Sequence, residues 1–156
     1  MRVGFTGTQR GMTEKQQEAL FDLVRYGSTI KGTFEEFHHG DCIGADEQSH
    51  ELMQEYVSQI IIHPPTNGSK RAFCKKSDWG DPKILDPKEY IARNHDIVNA
   101  VDLMIATPAE FDEQLRSGTW ATIRYAKKIK RDLVIIYPDG SKEERIINKP
   151  QLGLPI

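Results

Sequence analysis

Five short runs rich in β-branched and aromatic residues punctuate the chain: Arg2 to Thr6, Glu36 to His39, Gln59 to His63, Asp102 to Thr107 and Leu133 to Tyr137. Between them lie four stretches with helical spacing or helix-start signals. Thr13 with Gln16 three residues on forms a capping box, followed by Leu20, Leu23 and Val24 on one face, and this helix is expected to end by Gly27. A second helix is expected from near Gly44, carrying Ala45, Leu52, Met53 and Tyr56. A third is expected from Asp86-Pro87, with Glu89 at the capping-box position and Ile91, Val98 and Val101 as its apolar face. The fourth starts at Ser117-Gly118-Thr119, runs through Trp120, Ile123, Ala126 and Ile129, and ends in the cationic run Lys127 to Arg131, which suits a helix C-terminus. Alternation of this kind predicts an α/β domain with a five-stranded parallel sheet and crossover helices. After the turn Pro138-Asp139-Gly140-Ser141, residues Glu143 to Asn148 can add a short antiparallel edge strand. The 23 residues from Pro64 to Asp86 read as one long irregular connection, a binding loop or a lid.

With 156 residues, 38% hydrophobic and 28% charged, the chain has the size and balance of one globular domain, with a core over about residues 1–140. Lys plus Arg number 21 against 23 Asp plus Glu, a net charge of −2, so an anion site has to be built locally. No apolar run is long enough to span a bilayer and Met1 leads straight into strand-like residues, which predicts a cytoplasmic protein without a membrane partner. Cys42 and Cys74 show no zinc-type spacing and are expected as free thiols; no metal site and no cofactor are expected.

In an open parallel sheet, ligands bind beyond the carboxyl ends of the strands. After the first strand come Gly7, Thr8, Gln9, Arg10 and Gly11, which suit either a phosphate turn or a plain strand-to-helix turn with an exposed arginine. After the second comes His39-Gly40-Asp41-Cys42-Ile43-Gly44-Ala45-Asp46, in which Asp46 either meets a ligand or complements the helix dipole. This is not the Gly-x-Gly-x-x-Gly dinucleotide fingerprint. His38 and His39 alternate along their strand, so one at most is expected to face the core. Ser117, Gly118 and Thr119 offer hydroxyls and free amides at a helix start, a cradle for phosphate. Trp120 reads as core. Arg93-Asn94 can be a solvated helix face or reach the crevice. Lys70, Arg71, Lys75 and Lys76, with Trp79 nearby, form a basic cluster that can clamp phosphate or only solvate the loop.

Taken in order, Gly4-Phe5-Thr6-Gly7-Thr8, His39-Gly40 with Gly44-Ala45-Asp46, Ile62-His63-Pro64-Pro65, Arg93 to Val98 and Ser117-Gly118-Thr119 make the chain resemble the SLOG superfamily. That superfamily includes the lonely-guy nucleotide phosphoribohydrolases and the DNA-processing protein A recombinase loaders. The resemblance covers roughly residues 1–140. It implies a single Rossmann-like three-layer domain with strand order 3-2-1-4-5 and a ligand crevice between the turns after strands one and four. By position Arg93 looks like the catalytic arginine of the phosphoribohydrolases and Gly118-Thr119 like their Gly-Thr pair. The place of their Glu is held by Thr122, which cannot act as a carboxylate. Asp46, Glu110 or Asp112 can supply one instead.

The resemblance thus implies binding of a nucleotide or nucleotide-sugar. The expected site is Gly7, Thr8, Gln9, Arg10, Gly40, Gly44, Asp46, His63, Arg71, Arg93, Asn94, Ser117, Gly118 and Thr119. N-glycosidic cleavage of a nucleoside monophosphate, with Arg93 catalytic, is the alternative. A DNA-binding accessory role is third, disfavoured by charge, so nucleic acid is not an expected partner. A small nucleotide-derived ligand is, and so is a second copy of the chain.

Overall fold

The computed structural model describes residues 1–31, 34–75 and 80–147, with the side chains of 27–31 excepted. In chain order the elements are β1 Arg2–Gly7, α1 Glu14–Lys31, β2 Phe34–His39, α2 Ala45–Met53, β3 Val57–Ile62, a 3₁₀ turn at Gly68–Lys70, β4 Lys83–Ile84, α3 Tyr90–Ala100, β5 Leu103–Thr107, α4 Gly118–Lys128, β6 Asp132–Ile136 and β7 Lys142–Arg145. The sheet has seven strands rather than five, so its order, β4-β3-β2-β1-β5-β6-β7, differs from the expected 3-2-1-4-5. The five expected runs occupy its interior and one strand is added at each edge. All neighbours are parallel except β7, which runs antiparallel to β6 with Leu133 opposite Arg145. Asn148, the expected end of that edge strand, lies outside the described residues.

Two apolar layers flank the sheet, because period-2 alternation sends neighbouring strand residues to opposite faces. Leu103, Ile105, Val134 and Ile136 join Phe5 and Phe37 against Leu20, Leu23 and Val24 of α1 and Ala45 and Met53 of α2. Met104, Ala106, Leu133 and Ile135 meet Ile97 and Val98 of α3, Val101 just beyond it, and Trp120, Ile123 and Ala126 of α4. Trp120 is core, as expected. The capping box forms as read: Gln16 N donates to Thr13 Oγ1 at 3.1 Å and Thr13 N to Gln16 Oε1 at 3.0 Å.

Several expectations need correction. Helix α1 continues through Gly27 to Lys31, since a glycine inside a helix costs only about 1 kcal/mol. Helix α2 closes at Met53, and Tyr56 lies beyond it in a turn to Met53 O. Helix α3 begins at Tyr90, not at Asp86-Pro87, because the backbone of 85–88 is already engaged: Leu85 N donates to Ile62 O, Lys88 N to Pro64 O and Thr66 N to Lys88 O. Ile91, placed on the apolar face, is 72% exposed; α3 packs through Ile97 and Val98 instead. The connection 64–86 is not structureless, holding the 3₁₀ turn and β4. His38 and His39 are both buried, because helices cover both faces of the sheet. Among the described residues, no helix is long and apolar enough to cross a membrane.

Candidate ligand-binding cleft

The carboxyl ends of β1, β2 and β5 open into a cleft of about 760 Å³ between the turn after β2, the N-terminus of α3 and the N-terminus of α4. Gly7 lets these ends meet. A Cβ there would stand 2.4 Å from Thr107 Oγ1 and 2.5 Å from Ala45 Cβ. The following turn is closed on itself: Thr8 O accepts from Gly11 N and Ala45 N, Thr8 N donates to Thr107 O, and Arg10 N donates to Thr8 Oγ1. The amides of Thr8, Arg10 and Gly11 are thereby spent, so the anion cradle foreseen at the first turn is not free to act through them. Gly44 sits at φ +89, where a Cβ would press 2.4 Å from Gln9 O, and it serves the turn rather than the cleft wall.

At the floor, Arg93 is 5% exposed. Its Nη1 donates to Gly40 O at 2.6 Å and His63 O at 3.1 Å, its Nε to Asn94 Oδ1 at 2.7 Å, and its Nη2 faces Cys42 Sγ at 3.8 Å. The guanidinium lies 5.3 Å from the ring centre of Tyr90. Gly40 makes this possible, since a Cβ would stand 2.5 Å from Arg93 Nη1. Among the described residues no carboxylate comes within 4.0 Å of Arg93. Among the described residues its buried charge is held by carbonyl, amide, thiol and aromatic-ring partners. Nearby Asp46 accepts from Cys42 N at 3.1 Å. Burial pushes its carboxyl up to about 6, opposed by the Arg93 charge. Burial also pushes the Cys42 thiol up, beside the same guanidinium.

Across the cleft, Ser117 caps α4 by accepting from Trp120 N at 3.2 Å. The next two amides, of Gly118 and Thr119, have no acceptor among the described residues, as expected of a first helical turn. Among the described residues, nothing beyond Gly118's chain neighbours and its own helix backbone lies within 4 Å of where a Cβ would stand. Glu110 accepts from Trp120 Nε1 at 3.0 Å, and Arg116 lies on the rim. Thr122 is buried and donates to Gly118 O at 2.9 Å, turned into its own helix.

Of the expected site residues, Gly7, Thr8, Gln9, Arg10, Gly40, Asp46, Arg93, Asn94, Ser117, Gly118 and Thr119 line this one cleft; Gly44, His63 and Arg71 do not. The His63 ring points away to His38, its Nε2 2.7 Å from His38 Nδ1. Arg71 is spent on Asp41, Nε to Oδ2 at 2.6 Å, with its guanidinium 4.5 Å from the ring centre of Phe73. Asp41 also accepts from Cys74 N, and its own carbonyl from Ala72 N, so the segment through 70–74 is tied down beside β2. Lys76 and Trp79 of the expected basic cluster lie outside the described residues. Tyr90, Asn67 and Ser69 enter the lining unforeseen; Tyr90, one helical turn before Arg93, was findable from that spacing. Arg10, Lys70, Arg93 and Arg116 face only Asp46 and Glu110, so the lining is cationic in a protein of net charge −2. The cleft holds no cluster of three metal-ligating side chains among the described residues.

No known protein family and no curated protein matches this chain. Solved structures share its fold. The molybdenum cofactor binding protein from the phototrophic bacterium Rippkaea orientalis superposes with a TM-score of 0.62 at 19% identity, over 86% of this chain and 75% of that one. The Moco carrier protein from Chlamydomonas reinhardtii gives 0.55 at 19% identity, over 85% and 74%.

Proposed function

We propose that the cleft binds a phosphorylated small molecule of nucleotide size, and that binding rather than bond cleavage is its work. The observation that carries this reading is the buried Arg93 cation, which has no carboxylate partner among the described residues. A guanidinium taken out of water at a cost of several kcal/mol is a natural counter-charge for an anionic ligand. The ligand's phosphate takes the start of α4, where the Gly118 and Thr119 amides, the helix dipole and Arg116 favour negative charge and Gly118 keeps the approach open. From there the ligand's negative charge extends across Tyr90 and Ile97 toward Arg93, the second anion contact.

A nucleotide or nucleotide-sugar is the reading supported by the motifs, with the chain placed in the SLOG superfamily. The molybdenum cofactor is the second, favoured by the two fold neighbours that bind or carry it. N-glycosidic cleavage has less support, since Thr122 is buried in α4 and Glu110 is engaged by Trp120. Thermal-shift titration with mononucleotides, nucleotide-sugars and the molybdenum cofactor tests the proposal. A ligand at 100 times its Kd is expected to stabilise the fold by about 2.7 kcal/mol. Failure of every phosphorylated compound to shift the midpoint would sink it, and release of free base from a nucleoside monophosphate would replace binding by hydrolysis.

A further inference from the structure

Away from the cleft, three side chains from separate segments converge. His39 closes β2 and is fully buried, His50 in the last turn of α2 is 3% exposed, and Cys74 is half-buried in the segment held by Asp41. One ligand atom from each lies within 4.8 Å of the other two. The two imidazoles stand at 90°, with His39 Nε2 2.9 Å from His50 Nδ1. Asp41 N donates to His39 Nδ1 at 2.9 Å, so the single proton of that ring is on Nε2, between the two histidines. His50 then accepts at Nδ1, and its Nε2–H donates to Lys75 O at 3.1 Å.

We propose that His39 Nε2, His50 Nδ1 and Cys74 Sγ form a binding site for a thiophilic divalent cation of the Zn²⁺ class. Two imidazoles and a thiolate suit a borderline-soft ion and not Mg²⁺ or Ca²⁺. Zinc bonds of about 2.0–2.1 Å to nitrogen and about 2.3 Å to sulfur put tetrahedral ligand atoms about 3.3–3.7 Å apart. The histidine pair opens by a few tenths of an ångström and the thiol closes in. The His50 Nε2–H on a backbone carbonyl is the outer partner that a ligating histidine uses to hold its ring.

Nearby carboxylates support the exchange. The ion displaces the thiol proton while the His39 ring proton passes from Nε2 to Nδ1, so the cluster gains one positive charge, beside Asp41, Asp46 and Glu47. His39 is bound as a neutral imidazole, and the Asp41 amide gives up Nδ1 as its acceptor when the ion enters. Groups around the cluster set the pH dependence: Asp41, Asp46 and Glu47 act on Cys74, Asp41 and Glu51 on His50, and His38, His63 and Arg93 on His39. Burial favours the protonated thiol, so affinity is expected to climb with pH, approaching tenfold per unit as the thiol proton is displaced. Sequence spacing could not reveal the set, because a strand end, a helix and a loop each supply one ligand.

The test is titration of the full chain with Co²⁺. A thiolate-to-cobalt band in the near ultraviolet and intense visible d–d bands are expected at one equivalent, lost on adding Zn²⁺, with one proton released per ion in weakly buffered solution. Cys74→Ser is expected to remove the near-ultraviolet band and weaken Zn²⁺ at least a hundredfold without moving the urea midpoint of the metal-free protein. Absence of that band in the wild type, its persistence in C74S, or binding without release of a proton would overturn the assignment. If C74S does not fold, the wild-type band, proton count and histidine ¹⁵N shifts at His39 and His50 decide the question alone.

Discussion

Among the described residues no other segment crowds the space a side chain at Gly118 would enter, so the fold is expected to tolerate substitution there and a bound anion is not. Gly118→Asp is expected to leave the thermal midpoint nearly unchanged and to weaken a phosphorylated ligand by about a hundredfold or more, since it sets charge and bulk against the approaching anion; calorimetric titration beside a melt separates the two. Gly40 is the opposite case. A Cβ at 2.5 Å from Arg93 Nη1 forces the guanidinium to move, so Gly40→Ala is expected to cost about 1–3 kcal/mol in urea unfolding and to reduce ligand affinity as well. Arg93→Ala is expected to weaken a phosphorylated ligand by about 1.5–3 kcal/mol, the worth of a charge-assisted hydrogen bond, and its dephosphorylated form less; equal weakening of both would mean that Arg93 acts through packing. These residues were legible because turn chemistry and motif order mark glycine and arginine. What Thr8 does with its amide was not, because its acceptor, Thr107, stands on a strand distant in sequence.

Among the elements, the segment after β3 combines a loop's sequence with a clamp's contacts. Ile43 N donates to Lys70 O, Ala72 N to Asp41 O, and Arg71 is ion-paired to a carboxylate with no solvent exposure. If the segment opens to admit ligand, it does so by breaking this set. Tryptic cleavage after Lys70 and Arg71 is therefore expected to be slow in the wild type, fast in Asp41→Asn and slowed again by saturating ligand; equal rates in wild type and D41N would show that Asp41 does not hold it. Of the five central strands, β3, β5 and β6 were readable as apolar runs covered on both faces, and β1 and β2 from aromatic and β-branched residues leading into Gly-rich turns. Strand β4 was not, since two exposed residues, Lys83 and Ile84, make no pattern, and the late start of α3 follows from long-range pairing of 85–88 with 62–66. The two buried histidine pairs escaped for the same reason: alternation assigns a face but does not say that both faces are covered.

For the molecule as a whole, buried histidines set the response to acid. Burial lowers His38, His39, His50 and His63, the last to about 4. Below about pH 6.5 the unfolded chain takes up protons that the folded chain refuses, so stability is expected to fall as pH drops from 6.5 toward 4, by up to about 1.4 kcal/mol per pH unit for each histidine. Asp46, raised to about 6, works the other way between its unfolded value and 6, favouring the fold as pH falls and offsetting about one histidine. Urea midpoints between pH 7.5 and 4.5 check the sign; a flat profile would contradict the burial of these rings. The sheet's two margins carry a different consequence, for how copies of the chain tolerate crowding. One edge strand is two residues long, and the other, Lys142-Glu143-Glu144-Arg145, is a row of charges, with Glu143 bonded to the Tyr137 hydroxyl and Arg145. Neither offers a neighbour a long apolar template for strand addition. Replacing Lys142 and Glu144 by valine is expected to turn a blunt border into an adhesive one, detected as concentration-dependent light scattering at a pH where the parent stays clear.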